Sequence, residues 1–202
     1  MLSRVAYNIY WAARYLERAE NIARLLGVNQ DLTLDTQADQ SQTWGALIDT
    51  TGDRQQFDTR HRRVDRDSTI HFLAYDRDYP NSIIASLWAA RENLRSVRDS
   101  ISRAMWLRIN ALYLEVKDLA ARADGEEAAT ISFSDLVRLG CFTVQGVADA
   151  TMSRDDAWHW WHIGTMVERA DKTSRILDVK YFMLLPQGQD VGSNSDQVQW
   201  IA

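Results

Sequence analysis

Long runs of apolar residues with helical spacing constrain this chain more than any other feature. The first run places an apolar residue at every third or fourth position: Leu2, Val5, Ile9, Ala12, Leu16, Ala19, Ala23 and Leu26. A second run extends from Ile83 to Leu112 with a similar period, and the 202 residues contain only two prolines. This spacing gives a helix one continuous apolar face. The sequence therefore predicts an all-α fold, a multi-helix bundle with long antiparallel helices.

The length of the chain predicts a single α-helical domain over residues 1–202. Segment 35–69 is polar, and we expect it to be partly irregular around one short helix. Segment 187–202 is expected to be a tail or the start of an incomplete helix, because a capped start is followed by about one turn. On this basis the domain is predicted to be truncated at its C-terminus.

The apolar pattern also predicts where the long helices bend and begin. The run from Ile83 is expected to continue toward Ala123 as one helix with a kink near Ser102. The last helix, over residues 153–185, is predicted to have Ser153 as its N-cap, because two acidic residues follow this serine.

Composition and charge exclude several classes of function. The net charge is −5 with acids and bases interleaved, so the chain lacks the basic stripe that nucleic acids require. It has no apolar stretch of about 18 residues, so we expect no membrane span. The single cysteine, Cys141, lies among apolar residues and is expected to be buried, and a chain without disulfides fits the cytoplasm. No glycine-rich phosphate loop, Gly-x-Ser-x-Gly or Cys-x-x-Cys motif indicates a reaction or a cofactor.

A short motif of acids and bases is written twice, 151 residues apart. Residues 15–26 read YLERAENIARLL and residues 166–177 read MVERADKTSRIL, so both contain Glu-Arg-Ala-acid-x-x-x-Arg. On a helix the two acids of each copy share a face, and the second acid precedes its arginine by four positions, a favourable order for an ion pair. The simplest interpretation is a set of intrahelical ion pairs on solvated faces, worth a few tenths of a kcal/mol each.

A second interpretation is that both copies meet in the interior. Glu20 and Asp171 lie beside the apolar stripes, and a buried carboxylate must be paired. If the N-terminal helix packs antiparallel to the 153–185 helix, four carboxylates and at least two arginines converge in one polar seam. Such a seam would be a rigid Glu–Arg network, a metal site or a cradle for a charged ligand. We assign no metal ligand, because the arginines compete for the carboxylates and the nearest histidines lie more than a turn from Glu168.

Three segments resemble, in order, the bacterial alpha-E domain family, which is all-helical and of unknown molecular function. They are residues 1–26, 90–113 and 151–186. The resemblance implies a domain encoded beside, or fused to, a circularly permuted ATP-grasp peptide ligase and a transglutaminase-like protein, in a system for peptide synthesis or modification. Family members continue through further helices, which this chain is expected to lack.

The resemblance also marks candidate residues for binding or for the polar seam. These candidates are Arg14, Glu17, Arg18, Glu20, Arg24, Arg91, Glu92, Arg98, Glu168, Arg169, Asp171 and Arg175. The chain departs from the family at Thr165, where an arginine equivalent to Arg14 is usual, and at Ala104, where a glutamate is usual.

Three hypotheses for function remain open at this point. The first is an accessory or binding module that acts with the ATP-grasp ligase and the transglutaminase-like protein. The second is an enzyme of the same system that uses Glu17, Glu92 and Glu168 as acid–base groups or metal ligands. The third is a purely structural bundle that forms a homo-oligomer. The sequence assigns no catalytic residue and no cofactor to any of them.

Overall fold

A computed structural model describes residues 1–35, 40–122 and 127–184 of the chain. The described residues form eight α-helices and no strand, which confirms the all-α prediction. The helices are α1 (Ser3–Asp35), α2 (Gln40–Thr51), α3 (Arg54–Arg60), α4 (Arg66–Ile70), α5 (Ile83–Ser96), α6 (Arg103–Ala120), α7 (Glu127–Thr151) and α8 (Asp156–Leu184). A π-helical turn, His71–Tyr75, follows α4, and a 3-10 turn, Arg98–Ser100, lies between α5 and α6.

Helix α1 forms the centre of the bundle, because it packs against α5, α7 and α8 together. Most of the apolar positions predicted from the sequence are buried, among them Ile9, Leu16 and Leu26, whereas Leu2 is 71% exposed. The helix continues through Gly27, where a side chain would meet nothing within 4 Å. A helix in contact with three neighbours has little solvated surface, so its polar residues must find partners inside the protein.

Helices α1 and α8 run parallel, and the antiparallel arrangement expected for this pair is wrong. The N-terminal amine of Met1 contacts Asp156, and the ring of Tyr10 lies 6.4 Å from that of Trp160. Further along both helices, Arg18 reaches Glu168. Residue numbers therefore rise together along the two helices, and the two motif copies lie side by side.

The other long helices alternate in direction around α1. Asn81, just before α5, contacts Arg18, whereas Asp99 and Ser100 beyond it share a cleft with Met1, so α5 runs antiparallel to α1. The end of α7 bonds to the start of α6 through Thr151 and Ser102. In chain order the directions from α5 to α8 are down, up, down and up relative to α1.

The long helix expected after Ile83 is two helices rather than one kinked helix. Helix α5 ends at Ser96, and Ser102 begins α6 as its N-cap by accepting a hydrogen bond from the Met105 amide at 3.0 Å. A serine that caps a new helix satisfies orphan amides there, which permits a full reversal of the chain. The sequence predicts the position of the break correctly, but it predicts a kink where the chain reverses its direction.

Two further local predictions are corrected by the structure. The segment 35–69 contains more helix than one short element, because α2, α3 and the first residues of α4 all lie in its described part. Asp155, and not Ser153, caps α8: its Oδ1 accepts hydrogen bonds from the amides of Ala157 and Trp158. The predictions for residues 187–202 lie outside the described residues.

Candidate functional site

Glu168 is the most enclosed acid of the repeated motif. Its side chain has no exposed surface, and both of its oxygens accept hydrogen bonds from arginines of α1. Arg14 Nε donates to Oε2 at 2.7 Å, while Arg18 donates to Oε1 at 2.7 Å and to Oε2 at 3.0 Å. A buried carboxylate needs such saturation, since a buried charge without a partner costs several kcal/mol.

Glu17, the matching acid of the first copy, is bound by an arginine of α8. It is 1% exposed, and Arg169 of α8 donates to its two oxygens at 2.8 and 3.2 Å. The glutamate of each Glu-Arg step therefore accepts hydrogen bonds from the arginine of the other motif copy. We call these five residues, Arg14, Glu17, Arg18, Glu168 and Arg169, the ER seam.

The seam is not symmetric, because the two motif copies differ at Thr165. The position equivalent to Arg14 on α8 is Thr165, whose hydroxyl donates to the Trp161 carbonyl of its own helix. Gln145 of α7 donates instead to Glu17 at 2.8 Å. Glu168 thus has two cationic partners, whereas Glu17 has one cation and one neutral amide.

The second acid of each copy forms an intrahelical pair, as the simplest interpretation predicts, but Glu20 is 1% exposed and does not lie on a solvated face. Arg24 donates to Glu20 at 2.6 and 3.1 Å, and Arg175 Nε lies 3.1 Å from both oxygens of Asp171. Arg175 also donates to the Thr51 carbonyl at 3.4 Å, which connects α8 to the end of α2. These pairs flank the ER seam without crossing between α1 and α8.

The seam continues into a partly buried hydrogen-bond chain that the sequence does not predict. Arg18 donates to Asn81 at 2.5 Å, and Asn81 donates to Asp53 at 3.0 Å. The Tyr79 hydroxyl donates to the same Asp53 oxygen at 2.6 Å. Burial and the hydrogen bond to Asp53 raise the pKa of Tyr79 well above its usual range, so this phenol stays a donor. The chain links α8 and α1 to the loops that precede α3 and α5.

A buried lysine lies beside the seam. Lys172 is 8% exposed, and its ammonium is 3.7 Å from Asp171. Burial lowers the pKa of Lys172 most strongly and the charge of Arg18 lowers it further, while Glu168 and Asp171 act in the opposite direction. No motif marks this lysine, and only its helical phase, four residues after Glu168, would have indicated its burial.

The middle candidates lie apart from the seam. Arg91 donates to Asn110 at 2.8 Å and pairs with Glu92 at 2.5 Å. The guanidinium of Arg98 lies 4.9 Å from the ring centre of Trp106. These three candidates form a cluster between α5 and α6 and take no part in the contacts of Glu17 and Glu168.

The protonation state of Glu168 limits the chemistry available to the seam. Burial alone would raise the pKa of Glu168, but the hydrogen bonds and charges of Arg18 and Arg14 outweigh it and lower that pKa. A carboxylate held in its anionic form is a poor proton donor at neutral pH. Within residues 1–35, 40–122 and 127–184, no three His, Cys, Asp or Glu side chains converge as metal ligands would. The arrangement is suited to holding helices together or to binding a charged group.

Cys141 of α7 lies against α1, where its Sγ is 3.7 Å from the Leu16 carbonyl oxygen. It is fully buried, and burial followed by the charges of Glu20 and Glu17 raises its pKa well above the usual range. Its thiol is therefore protonated and inaccessible, as expected from its apolar sequence context. Among the described helices, none combines the length and apolar character needed to cross a membrane.

The paired Glu-Arg steps agree with a known family description. Residues 1–202 match the Alpha-E family, described as "a predicted alpha-helical domain with a conserved ER motif". The chain belongs to the Alpha-E family. The ER steps that form the seam, Glu17-Arg18 and Glu168-Arg169, are the two such steps that pack against each other.

Curated relatives of this Alpha-E chain are uncharacterised mycobacterial proteins. A protein of Mycobacterium bovis and one of Mycobacterium tuberculosis strain CDC 1551 are each 30% identical over 183 residues. A protein of Mycobacterium tuberculosis strain H37Rv is 29% identical over the same length. The aligned region covers 82% of this chain but 21% of each relative, so the chain spans about a fifth of their length. No solved structure matches the chain.

Proposed function

We propose that this Alpha-E chain is a non-catalytic helical module that binds a protein partner through the outer face of α8. The observation that carries the proposal is a set of exposed apolar side chains on that face, each 40–52% exposed. We call this set the α8 stripe: Trp160, Ile163, Met166, Val167 and Leu177. Contiguous exposed apolar surface is typical of protein interaction sites.

The ER seam supports binding rather than acid catalysis. Arginines occupy both oxygens of Glu168 and of Glu17, and the lowered pKa of Glu168 keeps it ionised. A general acid needs a proton to give near neutral pH, so an enzyme built on these glutamates is disfavoured. In this proposal the seam fixes α8 rigidly on α1 and thereby presents the stripe in one orientation.

The relatives support a modular role. In each mycobacterial relative the region similar to this chain makes up 21% of the protein, so there the helical domain belongs to a longer polypeptide. The resemblance to the alpha-E family implies the partner: an ATP-grasp peptide ligase or a transglutaminase-like protein. We propose one of these as the occupant of the stripe, in a cytoplasmic system for peptide synthesis or modification.

Affinity capture with two stripe variants tests the proposal. The tagged chain is mixed with the purified ATP-grasp ligase and, separately, with the transglutaminase-like protein of its host. We expect the wild type to retain at least one of them, and Ile163→Glu and Met166→Glu to lose it. Leu114→Glu is the matched control, because Leu114 is 45% exposed on α6, outside the stripe.

Two results would overturn the proposal. Retention that is undiminished in both stripe variants would place the contact elsewhere. Failure of the folded wild type to retain either protein, together with self-association in light scattering that Ile163→Glu removes, would instead support the structural homo-oligomer.

A further inference from the structure

A cavity at the reversal between α5 and α6 carries an unbalanced positive charge. Its volume is about 560 Å³, within the range of small-molecule sites. Three arginines line it, Arg95, Arg98 and Arg103, together with the carboxylate of Asp99 and the ring of Trp106. We call it the arginine cavity. It contains no residue of the ER seam or of the α8 stripe.

The arginines of this cavity differ in how far they are already paired. Arg95 donates to Glu92 at 2.8 Å, and Glu92 is shared with Arg91. In the described part of the chain, no carboxylate forms an ion pair with Arg98 or Arg103, and both are exposed. Two guanidinium groups therefore face the cavity with their donors available.

The position of Arg103 adds a second, independent feature. Arg103 is the first residue of the 18-residue helix α6, whose first turn contains no acidic residue. Ser102 caps the Met105 amide at this terminus. The N-terminus of a helix nevertheless carries partial positive charge, so a cation there is locally unfavourable. Such a conflict between a residue and its local structure is typical of functional positions, and a bound anion would remove it.

Aromatic contact keeps one of these arginines in place. The Arg98 guanidinium lies 4.9 Å from the centre of the Trp106 ring, and that of Arg91 lies 5.7 Å from it. A cation held against an indole loses less freedom when it binds a ligand. The cavity is thus partly organised before an anion arrives.

We propose that the arginine cavity binds a small anion that carries two or more phosphate groups. The planar fork of arginine matches the oxygens of phosphate in bidentate geometry. A single carboxylate would leave most of the donors of Arg98 and Arg103 unused. Because Arg98 and Arg103 line the same cavity, linked phosphates would offer each of them a separate set of oxygens.

Titration calorimetry of the full chain with inorganic pyrophosphate tests this proposal. We expect the wild type to bind, and Arg98→Gln and Arg103→Gln each to bind at least about tenfold more weakly, since each removes a charge-assisted contact. Arg122→Gln is the control: Arg122 is also exposed but lies past the other end of α6, so its loss should leave binding unchanged. Thermal melting confirms that the variants are folded.

Three results would overturn it. The first is that the wild type does not bind pyrophosphate at millimolar concentration, and the second is that both cavity variants bind it as well as the wild type does. The third is that citrate binds as tightly as pyrophosphate. The last result would show a general anion surface without phosphate preference. None of these affects the proposed partner binding, because the stripe residues are unchanged in this experiment.

Discussion

Single residues of the ER seam differ in how much they contribute to the stability of the fold, because their partners differ in burial. The Arg18 side chain is 13% exposed beside Glu168, whereas Arg169 is 50% exposed beside Glu17. We expect Glu168→Gln to lower the free energy of unfolding by about 3–5 kcal/mol, the usual cost of breaking a buried pair. Glu17→Gln should cost less, because solvent screens Arg169.

Urea denaturation of both variants measures this difference. Glu115→Gln is the control, since Glu115 is 45% exposed and lies 3.7 Å from Arg108, so its loss should change little. The interpretation would be contradicted if Glu17→Gln cost as much as Glu168→Gln, or if Glu168→Gln were neutral.

The lowered pKa of Glu168 makes part of the stability depend on pH. A carboxyl whose pKa is lower in the folded state stabilises the fold above its ordinary pKa, here 4.5, and loses that contribution as the pH falls through the folded-state pKa. The difference in unfolding free energy between wild type and Glu168→Gln should therefore be constant near neutral pH and shrink below pH 4.5. A difference that does not change through this acidic range would contradict the assigned ion pairs.

Lys172 is predicted to lower the stability of the folded protein at neutral pH. The pKa of Lys172 is lower in the folded state than the ordinary lysine value of 10.5, so its charge destabilises the fold at neutral pH. This destabilisation disappears as the pH rises toward 10.5, because the lysine loses its charge. We expect Lys172→Met to melt at the same temperature as the wild type or higher at pH 7, because an apolar chain of similar length needs no partner. As the pH rises, the melting temperature of the wild type should increase relative to that of the variant.

Thermal melting at neutral and alkaline pH measures both effects. Asp171 and Glu168 attract the ammonium, so a loss of more than about 2 kcal/mol at pH 7 would show that Lys172 is a required partner of the seam. Lys117→Met is a suitable control, since Lys117 is an exposed lysine near the end of α6.

At the residue scale, the sequence predicts the acids and bases of the seam but not all of their partners. The repeated Glu-Arg step is visible because its spacing is local. Gln145, Asn81 and Asp53 enter the network from three other parts of the chain, and no local pattern indicates such contacts. Single polar residues in helices and loops are too common to be assigned a partner from sequence alone.

At the scale of elements, one missed chain reversal accounts for the wrong orientation of α1 and α8. Counting residues 83–123 as one helix gives three direction changes from α1 to α8 and an antiparallel pair. The break at Ser102 adds a fourth change, which makes the pair parallel. Local periodicity continues across the break, so the apolar pattern could not reveal it.

The closeness of α1 and α8 depends on Gly164, which faces Ala13. A Cβ added at Gly164 would fall on the Tyr10 carbonyl oxygen and lie 2.9 Å from the Ala13 Cβ. We therefore expect Gly164→Ala to separate the helices, lengthen the contacts of the seam and cost about 1–3 kcal/mol through overpacking.

Gly146→Ala provides a matched control for this prediction. Gly146 also lies inside a long helix, but a Cβ there would meet nothing within 4 Å. This variant should gain about 0.5–1 kcal/mol from better helix propensity. Chemical denaturation of both proteins compares them, and a stabilised Gly164→Ala would contradict the close approach of the helices.

At the scale of the whole molecule, the ER seam joins the first long helix of the chain to the last one described. The sequence predicts the all-α class and the contact between these two helices. It does not predict that α5, α7 and α8 all pack against α1, because that packing depends on the chain reversals between α5 and α8. Contacts of residues far apart in the chain thus determine the fold, while local patterns determine its helices.

The exchange of partners between the two motif copies is the central claim, and a pair of double-mutant cycles tests it most directly. The first cycle combines Glu17→Gln with Arg169→Gln, which are hydrogen-bonded in the structure. The second combines Glu17→Gln with Arg18→Gln, neighbours in sequence that bond to different partners. Unfolding free energies from urea denaturation give the coupling energy of each pair.

We predict a coupling of about 1–3 kcal/mol between Glu17 and Arg169 and a value near zero between Glu17 and Arg18. That result would establish that each Glu-Arg step is completed by the other copy. A larger coupling between Glu17 and Arg18 than between Glu17 and Arg169 would contradict the parallel, exchanged arrangement of α1 and α8.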